Sequence, residues 1–179
     1  IPVAEECGLI LQLGHWVLLT ACRQVKSWLD AGIDMGEMAV NISAHQFRQP
    51  EFIASVQAIL AETGLPPELL ELEITESSVM ENPEDAIELL QRIGRMGVSL
   101  AIDDFGTGYS SLSYLKMFPI DHIKLDRSFV EEIGQGGGSS VICDATIGLA
   151  HNLGLKLVAE GVETEDQFAY LRERACDLV

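Results

Sequence analysis

Short apolar runs alternate with longer amphipathic segments along this chain. Runs rich in apolar and β-branched residues predict strands at 38–42, 70–75, 98–103, 122–126 and 156–160, and 177–179 reads as the opening of one more. Apolar residues near helical spacing predict helices at 10–31, from about 52 to Gly64, from Pro83 to about 93, at 139–153 and at 165–174. In the first helix these residues are Leu9, Leu13, Trp16, Val17, Val25 and Leu29.

Helices between successive strands predict an α/β fold with a parallel sheet. The alternation alone does not distinguish an open doubly wound sheet from a barrel. Neither G-x-G-x-x-G after an early strand nor G-x-x-x-x-G-K-[ST] is present, which weakens the case for the usual nucleotide-binding open sheets. Because polar residues also follow several strands, the pattern favours a TIM-like (β/α)8 barrel, which typically needs about 250 residues. We therefore expect one barrel domain over 1–179, truncated at both ends, with 134–140 as a loop between helices.

Charge and composition narrow the possible partners. The net charge of −17, from 28 acidic and 11 basic residues, argues against a broad DNA- or RNA-binding surface. An anionic substrate would therefore need metal ions to supply local positive charge. Cys22 and Cys143 lie among apolar residues, which predicts buried free thiols and fits a reducing cytoplasm. Neither a membrane span nor a signal peptide is expected, and a start at Ile1 suggests a piece of a longer protein.

Polar residues occur in or directly after each predicted strand. They are Asn41, Glu73, Asp103 with Asp104, Lys124, and Glu160 with Glu163. Each alone has an ordinary explanation, such as a buried salt bridge, an edge position or a helix cap. All five strands sharing this feature is harder to attribute to packing. In a barrel the carboxyl ends of the strands meet at one mouth, so these side chains are expected to converge there without a histidine.

This set of residues predicts a particular chemistry. Ligands rich in oxygen suit Mg²⁺ or Mn²⁺ better than Zn²⁺. Two such ions about 4 Å apart can hold the attacking and leaving oxygens of a phosphoryl displacement. A lysine can stabilise the developing charge or orient the water, and a remaining glutamate can accept its proton. Metal-assisted hydrolysis of a phosphodiester is favoured, with lyases and sugar-phosphate enzymes that use one Mg²⁺ as the alternatives.

Other polar residues carry weaker signals. His15, His45, His122 and His151 are scattered along the chain and are expected to be structural rather than catalytic. Gln46 and Arg48 follow Asn41 on a predicted loop over the mouth, where they would contact a substrate or simply be solvated.

Five motifs resemble one known family. They are Val40-Asn41-Ile42-Ser43, Glu71 to Ser77 (ELEITES), Asp103 to Ser111 (DDFGTGYSS), Ile123-Lys124-Leu125-Asp126 and Val158 to Glu163 (VAEGVE). In this order they resemble the EAL domain, the bacterial phosphodiesterase that opens cyclic di-GMP to the linear dinucleotide pGpG. The resemblance extends over the whole chain.

The resemblance implies roles for individual residues. Asn41, Glu73 and Asp103 would bind one Mg²⁺ or Mn²⁺, and Asp103 would bridge to a second ion held with Asp104. Lys124 would position the attacking water, and Glu160 matches the proposed general base. Glu76 would anchor the loop after the two aspartates, and Glu163 would lie in the second coordination shell or on the second metal.

The resemblance also implies partners and a departure from the family pattern. Residues 105–113 resemble a segment that couples the active site to a dimer interface, so a homodimer is expected, and sensory or cyclase domains are expected in the parent protein. The Glu-Ala-Leu segment that names the family, with its metal-binding glutamate, is expected before Ile1, and a final strand with a glutamine beyond Val179. An EAL module that binds cyclic di-GMP or a protein without cutting is the alternative function.

Overall fold

The computed structural model of the chain describes residues 2–33, 35–108, 111–133 and 139–179. The strands are β1 (Met38–Ile42), β2 (Leu70–Thr75), β3 (Ser99–Phe105), β4 (His122–Leu125) and β5 (Lys156–Ala159). The helices are α1 (Pro2–Glu6), α2 (Leu9–Asp30), α3 (Ala44–Phe47), α4 (Phe52–Thr63), α5 (Glu76–Met80), α6 (Pro83–Gly94), α7 (Leu112–Leu115), α8 (Arg127–Glu131), α9 (Ser139–Leu153) and α10 (Glu165–Glu173). The predicted strands and long helices are confirmed to within two residues at either end.

The strands form one parallel sheet in the order β1-β2-β3-β4-β5. In a doubly wound sheet the order reverses at a switch point, whereas in a barrel each strand lies beside the next along the chain. Leu178 continues this series beside β5: its amide donates to the carbonyl of Leu157 at 3.0 Å, and the amide of Ala159 donates to the carbonyl of Leu178 at 2.9 Å. The expected further strand therefore opens where the sequence predicts it.

The two faces of the sheet differ in chemistry. Along β2, Leu70, Leu72 and Ile74 are fully buried, and they belong to the apolar core that the long helices cover. The alternate residues, Glu71 and Glu73, project to the opposite face because side chains alternate along a strand. One face thus forms the core, and the other carries the polar groups.

Helix α2 differs from the prediction in the face it buries. Its buried residues are Ile10, Leu18, Cys22 and Val25. Leu9, Leu13, Trp16, Val17 and Leu29, which the sequence pattern grouped with Val25, are instead exposed, and Trp16 is 61% exposed. The helix has two apolar faces, and periodicity cannot tell which one packs on the sheet.

Several smaller predictions are settled by the same elements. Cys22 and Cys143 are buried free thiols, as expected. Residues 134–138 of the predicted loop lie outside the described residues, and residues 139–140 begin α9. Within the described chain, no helix combines the length and apolar character that crossing a membrane requires.

Candidate active site at the carboxyl ends of the strands

Lys124 lies at the centre of a group of carboxylates. Its Nζ is 2.6 Å from Oε1 of Glu73, 2.5 Å from Oε1 of Glu160 and 3.6 Å from Oδ1 of Asp103. Lys124, Glu73 and Asp103 are each at most 8% exposed, whereas Glu160 is partly open to solvent. Three residues that belong to β2, β3 and the end of β5 therefore meet on one side chain of β4.

Strand register explains why these residues meet. Residues paired across a parallel sheet project to the same face, and side chains two apart on a strand share that face. The relevant pairs are Asn41 with Glu73, Thr75 with Asp103, Ala101 with His122, and Lys124 with Val158. The polar face of the sheet is thus continuous from β1 to β5. Four of the predicted residues lie on it towards its carboxyl end: Asn41, Glu73, Asp103 and Lys124.

A β-bulge lies at the two adjacent aspartates. Between Ile102 and Phe105, β3 advances by three residues while β4 advances by two, so β3 holds one extra residue. Asp104 absorbs it with a left-handed backbone, φ 54°, and its amide donates to Oδ1 of Asp103 at 2.9 Å. Bulges redirect side chains next to active sites. Regular alternation would place adjacent aspartates on opposite faces, and the bulge removes that restriction.

The strand β3 extends two residues beyond its predicted end. The sequence pattern ended this strand at Asp103, but it continues to Phe105, which is buried and pairs with Leu125. The apolar pattern is interrupted by Asp103 and Asp104, so the pattern alone does not show that the strand continues to Phe105.

The electrostatics of the site are dominated by negative charge. Burial lowers the pKa of Lys124, but hydrogen bonds to Glu160 and Glu73 and the charge of Asp103 outweigh it, so the net pKa is raised. Burial raises the pKa of Glu73 although Lys124 opposes it. Burial and then the charges of Asp103, Asp126 and Glu160 raise the pKa of Asp104. Lys124 therefore stays charged, and the surrounding carboxylates repel one another.

Two predicted residues lie at the margins of this group. Asn41 is exposed on β1, the edge strand, beside Glu73 in register. Glu163 is exposed after β5, and its amide donates to Oε1 of Gln167 at 2.8 Å as part of the start of α10. Neither side chain contacts Lys124 in the hydrogen bonds and ion pairs of the described residues.

Glu76 joins α5 to the loop that follows the two aspartates. It is 1% exposed, and its Oε2 accepts a hydrogen bond from the amide of Gly106 at 2.9 Å. A Cβ added to Gly108 would lie 3.0 Å from Oε1 of the same carboxylate. Gly106 to Gly108 therefore wrap closely around Glu76. Tyr109 and Ser110, farther along the segment expected to reach a dimer interface, lie outside the described residues.

The loop predicted for Gln46 and Arg48 is wrong for Gln46, whereas Arg48 lies in the turn after α3. Residues 44–47 form α3, and Gln46 is buried and completes a capping box with Ser43. Its Oε1 accepts from the hydroxyl of Ser43 at 3.0 Å. Arg48 is exposed and forms an ion pair with Glu81 in a groove of about 600 Å³. The short sequence Ser43-Ala44-His45-Gln46 carries the capping signal that identifies this helix.

A second polar group lies at the amino ends of the strands. Buried His122 bonds through Nδ1 to Oε2 of buried Glu71, and exposed Glu37 completes a set whose oxygen and nitrogen atoms lie within 4.8 Å of one another. The hydrogen bond to Glu71 raises the pKa of His122 despite the opposing effect of burial. Among the described residues, three side chains of the types that bind metals lie close enough together to share an ion: Glu37, Glu71 and His122. His122 is the first residue of β4, within the predicted strand 122–126. The alternating Leu-Glu-Leu-Glu of β2 was the sequence signal for its partner.

Comparisons with known proteins agree with this geometry. A profile of the EAL domain family matches residues 1–179. MucR of Pseudomonas aeruginosa, named as a bifunctional diguanylate cyclase and cyclic di-GMP phosphodiesterase, is 45% identical over 177 residues, which are 99% of this chain and 26% of MucR. The cyclic di-GMP phosphodiesterase NbdA of the same organism is 46% identical over 179 residues, 100% of this chain and 23% of NbdA. The chain therefore spans about a quarter of these relatives.

A solved structure gives the same result for the fold. The MucR phosphodiesterase in complex with c-di-GMP has a TM-score of 0.95 and 45% identity, covering 98% of this chain and 71% of that one. The predicted TIM-like barrel architecture and the family resemblance are both confirmed. By its motifs, its fold and its matched length, this chain belongs to the EAL domain family.

Proposed function

We propose that this chain is the catalytic domain of a metal-dependent phosphodiesterase that hydrolyses cyclic di-GMP to linear pGpG. The observation that carries the proposal is the contact of Lys124 with Glu73, Asp103 and Glu160 at the carboxyl end of the sheet. The relatives named as cyclic di-GMP phosphodiesterases, at about 45% identity, support the choice of substrate.

The chemistry of the predicted ligands suits divalent cations, although Glu73, Asp103 and Asp104 are grouped less closely than Glu37, Glu71 and His122, and Lys124 contacts both Glu73 and Asp103. Asn41, Glu73, Asp103 and Asp104 offer only oxygen donors, which Mg²⁺ and Mn²⁺ prefer. Burial raises the pKa of Asp104, and repulsion from neighbouring carboxylates raises it further. A bound cation would relieve that repulsion. We propose that these four residues hold two ions. Bound there, the ions would neutralise the phosphodiester and stabilise the charge that develops on its oxygens.

Lys124 and Glu160 perform the remaining steps. The ammonium of Lys124, whose pKa is raised, donates hydrogen bonds to a phosphate oxygen or to the attacking water. The carboxylate of Glu160 accepts a proton as the water oxygen bonds to phosphorus and the P–O3′ bond breaks. The departing 3′ oxygen takes up a proton from solvent, and the ring opens to linear pGpG.

The test measures pGpG formation from cyclic di-GMP with Mn²⁺ or Mg²⁺, on this chain and on the full-length protein that contains it. The proposal expects turnover that Asp103→Asn abolishes. Glu88→Gln, which neutralises an exposed acid on α6, is the matched control and retains turnover. Binding of cyclic di-GMP without turnover in the full-length protein would instead assign a receptor.

We extend the proposal to the assembly. Relatives four times as long as this chain support flanking sensory or cyclase domains, as in the bifunctional MucR. We also propose a homodimer that includes the segment 105–113, and a cytoplasmic location that the four free cysteines support. Sedimentation of the full-length protein at a dimer mass would support the homodimer, and a monomer at all concentrations would contradict it.

A further inference from the structure

The turn that follows β5 packs unusually closely against the start of α8. Gly161 has a left-handed backbone, φ +71°, and a Cβ added to it would lie 2.7 Å from Cβ of Arg127. The same added Cβ would lie 3.6 Å from Cα of Arg127. Because the Cβ of Arg127 is attached to the helix backbone, it cannot move aside as the end of a long side chain can.

The start of α8 is held firmly. Asp126 caps the helix, since its Oδ1 accepts from the amide of Ser128 at 3.0 Å. Arg127 is the first residue of the helix, and its Nε donates to Oε1 of Glu131 at 2.8 Å. The contact surface against which Gly161 packs is therefore fixed to the end of β4, the strand that carries Lys124.

Glu160 lies between this contact and the Lys124 group. Its amide donates to the carbonyl of Leu125 at 3.2 Å, and its carboxylate lies 2.5 Å from Nζ of Lys124. Its backbone is thus fixed on one side by the β4 ladder and on the other by the close approach of Gly161 to Arg127. A turn displaced from Arg127 would carry the carboxylate away from Lys124.

We propose that Gly161 is a positioning residue for Glu160, and that its lack of a side chain lets the turn approach Arg127 closely enough to place the Glu160 carboxylate on Lys124. This inference rests on the proposed function, in which Glu160 accepts the proton. The guanidinium of Arg127 is not required for it. What matters is the Cβ position of residue 127.

The first test compares two glycines in the full-length protein that carries this chain. Gly161→Ala should lower kcat for cyclic di-GMP about 10- to 100-fold with little change in KM, because a displacement of about 1 Å is that costly. Gly154→Ala is the matched control: Gly154 has a similar φ of +75° but open space around it, at the amino end of β5. It should lower Tm and leave kcat unchanged. Equal losses of kcat in the two variants would overturn the inference.

The second test separates the Cβ contact from the guanidinium. In the Gly161→Ala background, Arg127→Gly should restore part of the lost kcat because it removes the atom that clashes. Arg127→Ala retains that atom and should restore nothing; equal rescue by both would overturn the inference. If Gly161→Ala does not fold, the two double variants are compared for folding instead. Arg127→Gly should restore folding and Arg127→Ala should not.

The third test does not depend on turnover. A crystal structure of the Gly161→Ala variant should place Nζ of Lys124 and the Glu160 carboxylate beyond hydrogen-bonding distance, more than about 3.5 Å apart. An unchanged contact would overturn the inference. Failure of the proposed function is recognised separately, as absence of turnover in the unsubstituted protein.

Discussion

At the scale of single residues, Lys124 supplies the positive charge that offsets the carboxylates of the site. It is the ammonium shared by Glu73, Asp103 and Glu160. Lys124→Met should lower the free energy of unfolding by about 3–5 kcal/mol, because Glu73 is then left buried without its cation. Urea denaturation measures the loss. The double variant Lys124→Met/Glu73→Gln should recover much of it, and a single variant as stable as the parent chain would contradict this account.

His122 and Glu71 form a second residue-scale pair with a pH dependence. The hydrogen bond to Glu71 raises the pKa of His122 in the folded state. Since the unfolded value is about 6.5, the pair stabilises the fold fully below that pH, and its contribution is lost as the pH rises through the folded pKa.

Urea denaturation from about pH 5.5 to 8.5 tests this dependence. His122→Gln should cost about 2 kcal/mol at the acidic end and less at the alkaline end. His15→Gln, which removes an exposed histidine bonded to Ser55, is the control. Parallel stability curves for the parent chain and His122→Gln would show that the pair is not ionised as described.

At the scale of elements, α2 and α3 meet at a glycine. A Cβ on Gly14 would lie 2.0 Å from Nε2 of the Gln46 side chain, which caps α3 together with Ser43. Gly14→Ala should therefore break the capping box and cost about 1 kcal/mol or more in thermal or urea denaturation. Gly148→Ala, in the interior of α9 with open space around it, should instead stabilise by about 0.5–1 kcal/mol. Stabilisation by both substitutions would contradict the close contact.

The link between α5 and the loop after β3 gives another element-scale prediction. Glu76→Ala removes the acceptor of the Gly106 amide, so hydrogen exchange at that amide should become faster. Glu76→Gln keeps a side-chain oxygen and should retain most of the protection. Unchanged exchange in Glu76→Ala would show that the carboxylate does not hold the loop.

At the scale of the whole molecule, the chain exposes apolar surface beside an open sheet edge. Leu9, Leu13, Trp16 and Val17 form an exposed stripe on α2, and β1 lies at the edge of the sheet. Exposed strand edges and apolar patches promote association. The 179-residue chain should therefore self-associate as its concentration rises in sedimentation velocity.

Trp16→Glu should weaken that association with little effect on the free energy of unfolding, because Trp16 is exposed. Gln91→Glu adds the same charge at an exposed position of α6 and should leave the association unchanged. Equal effects of the two variants would indicate that net charge, rather than the α2 stripe, governs association.

The sequence by itself determined the order of strands and helices and the polar residues at the strand ends. Both are local properties: periodicity follows from the geometry of each element, and parallel strands bring their carboxyl ends to one edge. It also determined the family, because five motifs in order identify it.

Only the tertiary structure decided which side chains meet. Four features each depend on a residue distant in sequence: the bulge at Asp104, the packing of Gln46 against Gly14, the exposed face of α2 and the pairing of His122 with Glu71. Periodicity describes a segment in isolation and holds no information on the surface that it will contact. The positions of Lys124 and Glu160 follow the same rule, because three strands and the approach of Gly161 to Arg127 set them together.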